Sequence, residues 1–395
     1  MLSAFGPFVM DMYLPTLPAM SDFFQTTSSR VQLGLTTSMV GLATGQLIFG
    51  PLSDKYGRRS PLLIAMALFL ISTVGCIFSQ NISQFVALRF VQGIAGAGGV
   101  VISRSIAADK YSAHELAGML ATIGAINGIA TVVAPIGGGV LADFGGWHGI
   151  FWFLFIVGVL LIIGSMRFRE SLPGGQRQNI RWGDMYRRFG IVLHNRQYVR
   201  YILQYGFTMG VLFTNIASAP FIMQQYYGLS PMLFSFCFGV NAVAMVISSA
   251  LAVRFSTMER ALHVGNHGML FISILLSVAF FLDCNFWIYE ILIFCLLAMV
   301  GMTFTASNTL AMDCERKNAG VASALLGAIG FAFGGIVSPL VGMGDIRMST
   351  GFLFFMGSLC SCVCACFSFH RLPFRKKALN FAPYGIINVF LQKRC

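Results

Sequence analysis

The chain has 395 residues, of which 56% are hydrophobic and only 10% are charged. Ordinary soluble domains carry roughly a quarter charged residues, so this composition excludes that class and predicts an integral membrane protein. The formal net charge of +12 could indicate a nucleic-acid partner, but the basic residues stand in short segments between apolar runs, which favours contact with a lipid bilayer.

Apolar runs of about 20 residues, the length that crosses a hydrocarbon core, recur along the whole chain. They predict an all-α integral membrane fold with twelve transmembrane helices in two pseudo-symmetric six-helix lobes. The approximate predicted spans are 1–20, 32–52, 61–79, 83–104, 118–141, 147–166, 200–222, 232–252, 264–282, 286–307, 319–341 and 349–370.

The longest polar interval separates the first six spans from the last six. Its Trp182 and Phe189 stand among basic residues and predict a short amphipathic helix on the membrane surface. The predicted divisions are an N-terminal lobe of residues 1–166, a cytoplasmic linker of residues 167–199, a C-terminal lobe of residues 200–370 and a cytoplasmic tail of residues 371–395.

The distribution of positive charge predicts the orientation of the chain. All of the 26 Lys and Arg residues except Arg30, Arg89 and Arg347 lie on or next to one side of the predicted helices. Because cytoplasmic loops carry such an excess, we expect a multi-pass membrane protein with both termini and the linker in the cytoplasm.

Weak sequence similarities between the two halves of the chain indicate that the two lobes are related by duplication. The fifth span carries VVAPIGGG (132–139), and the eleventh carries GGIVSPLVG (334–342). The first contains DMYLPTLP (11–18), and the seventh contains NIASAPF (215–221). Prolines and small residues at corresponding places mark bent helices whose freed backbone groups face protein or a wet cavity, as in duplicated transporters.

Asp11 is the only acidic residue near the middle of a predicted span. A carboxylate there costs roughly 2.5–3.5 kcal/mol on insertion scales, so it normally faces an interior cavity and has a function. We expect Asp11 to exchange protons. The alternatives are a neutral, hydrogen-bonded structural aspartate and a first span that begins deeper, which would leave Asp11 near an interface.

Arg89 is the second costly residue, about six positions into the fourth span. Because it stays charged, it must pair with a carboxylate, backbone carbonyls or a ligand. In a cavity shared with Asp11 it could tune the acidity of that carboxyl or hold an anionic group; the alternative is that it reaches out to the membrane surface. Glu290 lies only about five residues inside the tenth span, where an interfacial position explains it.

Two glycine-rich segments predict close helix packing. The segment GIAGAGG (93–99) lies inside an apolar helix with no preceding strand, so packing through small residues explains it better than a phosphate-binding loop. Pro135, Gly138 and Gly139 would bend the fifth helix and let the backbone of a neighbour approach.

The cysteines and histidines do not indicate a metal or catalytic site. Cys360, Cys362, Cys364 and Cys366 are spaced by two, which scatters thiols around a helix, so we interpret them as packing groups. Neither His-Glu-x-x-His nor Gly-x-Ser-x-Gly occurs. The sequence therefore predicts neither a metal nor an enzyme activity.

The segment GPLSDKYGRRSP (50–61) concentrates charge between the second and third spans. Glycine permits close packing at its start, and Gly57 allows a tight turn. We expect Asp54 to accept hydrogen bonds from a facing helix N-terminus while Arg58 and Arg59 pair with acids across the domain interface. Such contacts would form a cytoplasmic latch between the two lobes. The expected latch residues are Gly50, Asp54, Gly57, Arg58 and Arg59.

Several of these motifs carry a resemblance that covers nearly the whole chain up to about residue 372. GPLSDKYGRRSP resembles the signature of the major facilitator superfamily in this loop, and LRFVQGIAGA (88–97) resembles the fourth-helix motif of that family. APIGGG (134–139) resembles its fifth-helix antiporter motif, although that motif usually reads Gly-Pro where this chain has Ala-Pro. DMYLPTLP and AGVASALLG (319–327) are similar to the bicyclomycin-resistance (Bcr/CflA) type of drug:proton antiporter.

The resemblance implies a two-lobed carrier that rocks around a central cavity. In it Asp11 would exchange protons with substrate, Arg89 would tune that exchange, and the 50–59 loop would be the cytoplasmic latch. Some multidrug relatives carry a second carboxylate two helical turns before the first-helix Asp, where this chain has Ser3. That departure speaks against dicationic substrates.

The expected function is export of amphipathic small molecules, such as bicyclomycin-like, chloramphenicol-like or sulfonamide drugs, in exchange for protons. The alternatives are a proton-coupled carrier of a metabolite such as a nucleoside or sugar, and a membrane sensor that transports nothing. Protons would be the coupling ion with no other cofactor, and the chain would work as a monomer. The candidate substrate-cavity residues are Tyr13, Met39, Gln46, Asn127, Phe207, Asn215, Asn241 and Phe331.

Overall fold

The computed structural model describes residues 2, 5–111, 113–172 and 182–369, and the regular structure within these ranges is helical. The predicted tail, Ser3 and residues 173–181 of the linker lie outside them. The helices are α1 (Phe5–Asp11), α2 (Leu17–Phe23), α3 (Ser28–Tyr56), α4 (Arg59–Ile77), α5 (Ile82–Lys110), α6 (Ala113–Arg167), α7 (Trp182–His194), α8 (Arg196–Phe221), α9 (Pro231–Ala252), α10 (Met258–Phe281), α11 (Phe286–Cys314), α12 (Ala319–Val341) and α13 (Ile346–Phe369).

The described helices account for twelve membrane crossings. Ten of them are long and apolar enough to span a bilayer. One of these, α6, contains both the fifth and the sixth predicted spans, and α1 with α2 occupies the first span as two short pieces. The all-α fold with six crossings in each lobe is therefore confirmed, with α1 to α6 in the N-terminal lobe and α8 to α13 in the C-terminal lobe.

The first span is broken within the DMYLPTLP segment, where the sequence predicts a bent helix. Helix α1 ends at Asp11, a 3₁₀ turn covers Leu14–Thr16, and α2 follows. Pro15 and Pro18 stand at the starts of these pieces. A proline is tolerated there because the first N–H groups of a helix have no intrahelical partner, but inside a continuous helix it would remove a hydrogen bond. The two prolines therefore explain why the helix restarts after Asp11.

The fifth and sixth spans meet at a sharp break in α6, which lies between the two spans that the sequence predicts (118–141 and 147–166). Within the described part of α6, helical dihedral angles are interrupted at Gly146 (φ 56°, ψ −155°). This positive φ is a conformation that glycine adopts with little strain. Pro135 keeps helical dihedral angles and lies inside the helix, whereas the break lies at Gly146.

Helices α3 and α5 approach each other closely through glycine. A Cβ atom added at Gly41 would overlap the backbone carbonyl of Phe90, and one added at Gly93 would overlap that of Ser38. Only a residue without a side chain fits at either position. The prediction that the GIAGAGG segment serves helix packing is confirmed.

Several helices begin at a side-chain cap, which fixes where each crossing starts. In each case an Asn, Ser or Thr oxygen accepts a hydrogen bond from a backbone N–H of the first turn. Such a cap stabilises a helix by about 1 kcal/mol. The capping residues are Asn81 for α5, Asn195 for α8, Ser230 for α9, Thr257 for α10 and Asn285 for α11.

The two lobes meet along α3 against α12 and α6 against α9. We call the end of the bundle that carries the α3–α4 turn and α7 the basic end, and the opposite end the far end. Among the residues that the structure describes, three hydrogen bonds join the lobes at the far end, which is therefore held closed. They run from Ser29 Oγ to the Gly342 carbonyl, from Gln32 Nε2 to the Ala217 carbonyl at 3.2 Å, and from Gln224 Nε2 to the Pro15 carbonyl at 3.0 Å.

Helix α7 lies within the interval where the sequence predicts a short amphipathic helix. It contacts α8 and α12. Val192 is buried and Phe189 packs against the core, whereas Ile191 and Leu193 are exposed. The helix is therefore docked on the C-terminal lobe along one face and presents apolar side chains on another.

Candidate functional site

Asp11 is the last residue of α1, at the point where the first span breaks. The residue is only 7% exposed. Among the described residues no side chain forms a hydrogen bond or an ion pair with its carboxyl group. A buried carboxyl group that has no protein partner is available to a proton or a ligand.

Arg89 on α5 is fully buried beside the broken span. Its guanidinium donates to Gln92 Oε1 at 2.5 Å and to the backbone carbonyl of Val9 at 3.2 Å. The guanidinium carbon lies 4.3 Å from the centre of the Tyr13 ring and 5.9 Å from that of Phe151. Amide, carbonyl and aromatic groups thus stabilise this charge inside the lobe.

Arg89 is linked to Asp11 through the backbone of α1. No ion pair joins the two side chains in this conformation, so the tuning of Asp11 by Arg89 stays a prediction. The guanidinium instead holds the carbonyl of Val9, on the turn that ends at Asp11. A second bond ties this cluster to α4, since Gln92 Nε2 donates to Thr73 Oγ1 at 2.7 Å. Arg89 therefore positions the helix that carries the acid.

The fifth-span glycines support the chain on the other side of Asp11. A Cβ atom at Gly138 would overlap the backbone carbonyl of Met12, so the broken span rests directly on α6. A Cβ at Gly139 would lie 2.5 Å from Ser235 Oγ on α9, in the opposite lobe. The predicted close approach of a neighbouring backbone is thus found at these two glycines, and it joins the acid-bearing segment to the lobe interface.

The charged loop forms a dense network at the basic end. Gly57 ends α3 with φ 94°, a left-handed conformation that favours glycine. Arg58 is 6% exposed and donates to Asp109 from Nε at 2.8 Å and from its second terminal nitrogen at 3.1 Å. Its remaining terminal nitrogen donates to Ser53 Oγ at 3.0 Å and to Asp54.

Glu170 completes this network from the end of α6. Its two carboxylate oxygens accept the backbone N–H groups of Arg58 at 2.8 Å and Arg59 at 3.1 Å. The side chain of Arg59 donates to the Met166 carbonyl at 2.8 Å. Asp54, Asp109 and Met166 belong to the N-terminal lobe and Glu170 lies in the linker just beyond α6, so none of these partners is in the C-terminal lobe. The prediction that the two arginines pair across the domain interface is therefore wrong for this conformation: the loop ties α3, α5 and α6 of one lobe together.

The hydrogen bonding of Asp54 and the packing at Gly50 differ from what the sequence predicts. Asp54 accepts its described hydrogen bond from Arg58, one helical turn away, and its side chain is 40% exposed. A facing helix N-terminus does not supply a donor among the described contacts. A Cβ at Gly50 would lie 3.7 Å from Val101, an ordinary contact distance, so this position needs a small residue less than Gly41 does.

The structure brings three of the eight candidate cavity residues together at the lobe interface. Gln46 contacts Gly327 of α12, and Met39 contacts Gly334 of the same helix. Phe331 stacks at 5.8 Å on Phe213, which also touches Gly334. This cluster crosses between α3, α8 and α12.

The other five candidates lie apart from that cluster. Tyr13 is fully buried under Arg89, and Phe207 packs on Phe333 with ring centres 5.0 Å apart. The side-chain oxygens of Asn127 and Asn215 are buried without a hydrogen-bond partner. Asn241 donates to Glu290 between α9 and α11 at 3.0 Å. The described contacts therefore bring together only Met39, Gln46 and Phe331 of the eight candidates.

Two cavities lie at the far end of the C-terminal lobe and include none of the eight candidates. One, of about 330 Å³, lies between α10 and α13 beside Phe280 and Phe352. The other, of about 300 Å³, lies beside Tyr226 and Arg347. Their outward position distinguishes them from the buried cluster at Asp11.

Sequence reasoning missed the partners that make these groups a site. The sequence analysis predicts no role for Asp109, Glu170 or Gln92. Asp109 and Glu170 nevertheless both stand just after long apolar runs, where an acid marks a helix end. Glu290 was interpreted as interfacial, whereas the structure gives it a buried amide partner. A long-range partner leaves no local signal, so only the three-dimensional arrangement identifies it.

Comparison with known proteins places the chain in a family. Residues 1–339 match the family model described as Major Facilitator Superfamily. The chain is 38% identical over 351 residues to the uncharacterized MFS-type transporter YdgK of Bacillus subtilis, covering 87% of each chain. It is 30% identical over 380 residues to a bicyclomycin resistance protein homolog of Haemophilus influenzae, covering 90% of this chain and 91% of the relative. A chloramphenicol resistance protein of Pseudomonas aeruginosa is 29% identical over 62% of this chain and 58% of its own.

The fold is also that of solved transporters. A partially occluded inward-open conformation of the xylose transporter XylE from E. coli superposes with a TM-score of 0.73 at 17% identity, covering 94% of this chain and 96% of that one. This similarity concerns the fold alone. Together with the family match along the chain, it establishes that the protein is no enzyme but a multi-pass membrane transporter, and that it belongs to the Major Facilitator Superfamily.

Proposed function

We propose that this transporter exports amphipathic small molecules from a bacterial cell in exchange for protons. The observation that carries the proposal is Asp11, a buried carboxyl group without a protein partner at the break of the first span. A group of this kind can bind a proton or a ligand, and antiport requires that the two alternate.

The cycle follows from the two lobes and Asp11. With the far end open, Asp11 takes up a proton and the substrate leaves. After the lobes rock, the proton leaves at the basic end and fresh substrate binds. Arg89 holds the Val9 carbonyl throughout, so the carboxyl group stays at a fixed depth while the lobes move.

The basic end is assigned to the cytoplasm and the far end to the periplasm, in the inner membrane. The excess of Lys and Arg at the basic end supports this orientation, with both termini inside. The bonds between the lobes at the far end then make the described conformation one that is closed to the outside. The protein acts as a monomer in the bilayer, with protons as its coupling ion and no other cofactor.

The substrate class is that of hydrophobic drugs with a few polar groups. Relatives named for resistance to bicyclomycin and chloramphenicol support this assignment. So do the buried but unpartnered oxygens of Asn127 and Asn215, since apolar sites select their ligands through a few polar atoms.

The direction of transport is tested in intact cells that express the full chain. Accumulation of labelled chloramphenicol and bicyclomycin is measured with and without a protonophore. We expect expressing cells to hold less drug than cells that carry Asp11→Asn, and the difference to vanish with the protonophore. Greater accumulation by the expressing cells would identify an importer and overturn the proposal.

A further inference from the structure

A second acid within the helices lies in the C-terminal lobe, in a contact between α9 and α11. Asn241 Nδ2 donates to Glu290 Oε1 at 3.0 Å. Asn241 is 1% exposed, and Glu290 is half-buried. The cycle described above uses neither group.

Two oxygen atoms of this pair are left without a hydrogen-bond donor. They are Glu290 Oε2 and Asn241 Oδ1, one on each partner, and both are buried. A buried acceptor without a donor costs about 1–3 kcal/mol, so two of them in one contact require an explanation. Both atoms are acceptors if the carboxyl group is ionised, and no rotation of the asparagine amide can satisfy them both.

One additional hydrogen would satisfy both atoms at once. A carboxylic acid carries an O–H donor that the carboxylate lacks. With a proton on Oε2, Glu290 can donate to Asn241 Oδ1 while Asn241 Nδ2 still donates to Oε1. The two side chains then form a reciprocal acid–amide pair in which each donates once and accepts once.

The surroundings offer no cation that would favour an ionised Glu290. Among the described residues, no Lys or Arg of α8, α9, α10 or α12 forms an ion pair with it. The other titratable groups that its charge reaches are the Cys237 thiol on α9 and the Tyr289 phenol on its own helix. Neither carries a positive charge, and an unpaired carboxylate at this depth is costly.

We propose that Glu290 binds a proton in this conformation, and that the Glu290–Asn241 pair is a second proton-binding site of the transporter. The site lies on α11, the C-terminal counterpart of α5, so corresponding helices of the two lobes carry Arg89 and Glu290 in their far-end halves. Helix α9, which supplies Asn241, also packs on α6 of the opposite lobe, where a Cβ at Gly239 would lie 3.1 Å from Ile136. The second site is therefore one helix away from the surface on which the lobes move.

The test is an infrared titration of the full chain in lipid nanodiscs, since the C=O stretch of a neutral carboxyl group is distinct from that of a carboxylate. The spectra compare the chain carrying Asp11→Asn with the same chain carrying Glu290→Gln in addition, so that Asp11 contributes to neither. Glutamine can keep both hydrogen bonds to Asn241, so this variant is expected to fold. We expect the difference at neutral pH to show one neutral carboxyl group, whose absorption falls reversibly as the pH is raised.

A second variant tests the pairing itself. Asn241→Leu keeps the size of the side chain and removes both hydrogen bonds, so the carboxyl absorption of Glu290 should move to higher frequency. An absorption that does not move would overturn the acid–amide pair. A difference spectrum that contains only a carboxylate, or a neutral carboxyl group that never titrates, would overturn the proton site. Because no drug is used, these outcomes are independent of whether the protein exports drugs.

Discussion

The two lobes share one architecture but stabilise their polar groups by different means. The N-terminal lobe buries the charge of Arg89 and builds a network of charged side chains at its basic end around Arg58. The C-terminal lobe joins α8, α10 and α13 through uncharged groups, in which Ser361 Oγ donates to Asn266 Oδ1 at 2.9 Å and Gln204 Nε2 donates to the same oxygen at 3.3 Å. Neutral bonds suffice to hold helices together, so the charges of the N-terminal lobe indicate a task beyond packing.

The corresponding loops at the basic end show the same difference. In the N-terminal lobe Arg58 reaches acids on α3 and α5. In the C-terminal lobe Arg260 donates only to nearby Ser256 at 2.8 Å among its described side-chain bonds. Asp313, which ends α11 as Asp109 ends α5, pairs with its neighbour Arg316. Among the described residues, the two lobes thus share their helices, whereas the network of charged side chains is found at the N-terminal loop and not at its C-terminal counterpart.

The largest effect is expected from removing the buried charge. Arg89→Leu leaves Gln92 Oε1 and the Val9 carbonyl without this donor, at about 1–3 kcal/mol for each orphaned group, and frees the turn that ends at Asp11. We expect a clear fall in thermal stability in detergent and loss of drug efflux. Gln204→Leu in the other lobe removes longer, neutral bonds and should cost less. Equal losses of thermal stability and efflux for the two variants would contradict the claim that the charges of the N-terminal lobe have a task beyond packing.

The next largest loss of stability and efflux is expected from a change in the charged loop between α3 and α4, compared with the corresponding loop between α9 and α10. Arg58→Ala leaves Asp109 and Asp54 without their cation, which we expect to cost at most about 3 kcal/mol because the site is partly exposed. Drug efflux should fall with it. Arg260→Ala serves as the matched control, and its surface position predicts a change within about 0.5 kcal/mol. Efflux and melting temperature are measured for both variants. If Arg260→Ala lowered them as much as Arg58→Ala, the difference between the two loops would be contradicted.

A smaller loss of stability and efflux is expected from a change beside the first span. This span is broken, whereas its C-terminal counterpart α8 is one helix. Gly138→Ala places a methyl group against the Met12 carbonyl and should cost about 1–3 kcal/mol as the segment beyond Asp11 shifts. Gly137→Ala meets only the flexible end of the Met12 side chain, at 3.4 Å, and should resemble the parent protein. Efflux and melting temperature are compared, and similar behaviour of the two alanines would argue against the support described for Met12.

The smallest effect belongs to an exposed ion pair at the far end of the C-terminal lobe. The hydrogen bond from Arg347 lowers the pKa of Asp283 below its usual value. Because the folded protein favours the ionised form, the contribution to stability is present above the usual pKa of aspartate and is lost as the pH falls below it. Asp283→Asn should therefore lower the melting temperature slightly at neutral pH and not at acid pH. A deficit that persists unchanged in acid would contradict this contribution.

Composition and apolar periodicity predict the fold well because the bilayer imposes the length of each crossing. Asp11 and Arg89 can be identified from sequence for the same reason: a charge is costly within an apolar run. The partners cannot be predicted in this way. Glu170 meets a loop more than a hundred positions away in the chain, and Asn241 is an ordinary polar residue until α11 packs beside it. Such contacts depend on how helices pack, which the pattern of a single helix does not encode.

The central claim is that Asp11 couples drug export to proton movement, and inverted membrane vesicles with an imposed pH gradient test it most directly. A dye reports the pH of the lumen while chloramphenicol or bicyclomycin is added to vesicles that contain the parent protein or Asp11→Asn. We expect the drug to dissipate the gradient with the parent protein and not with the variant. An equal response from both proteins would show that Asp11 does not carry the coupled proton.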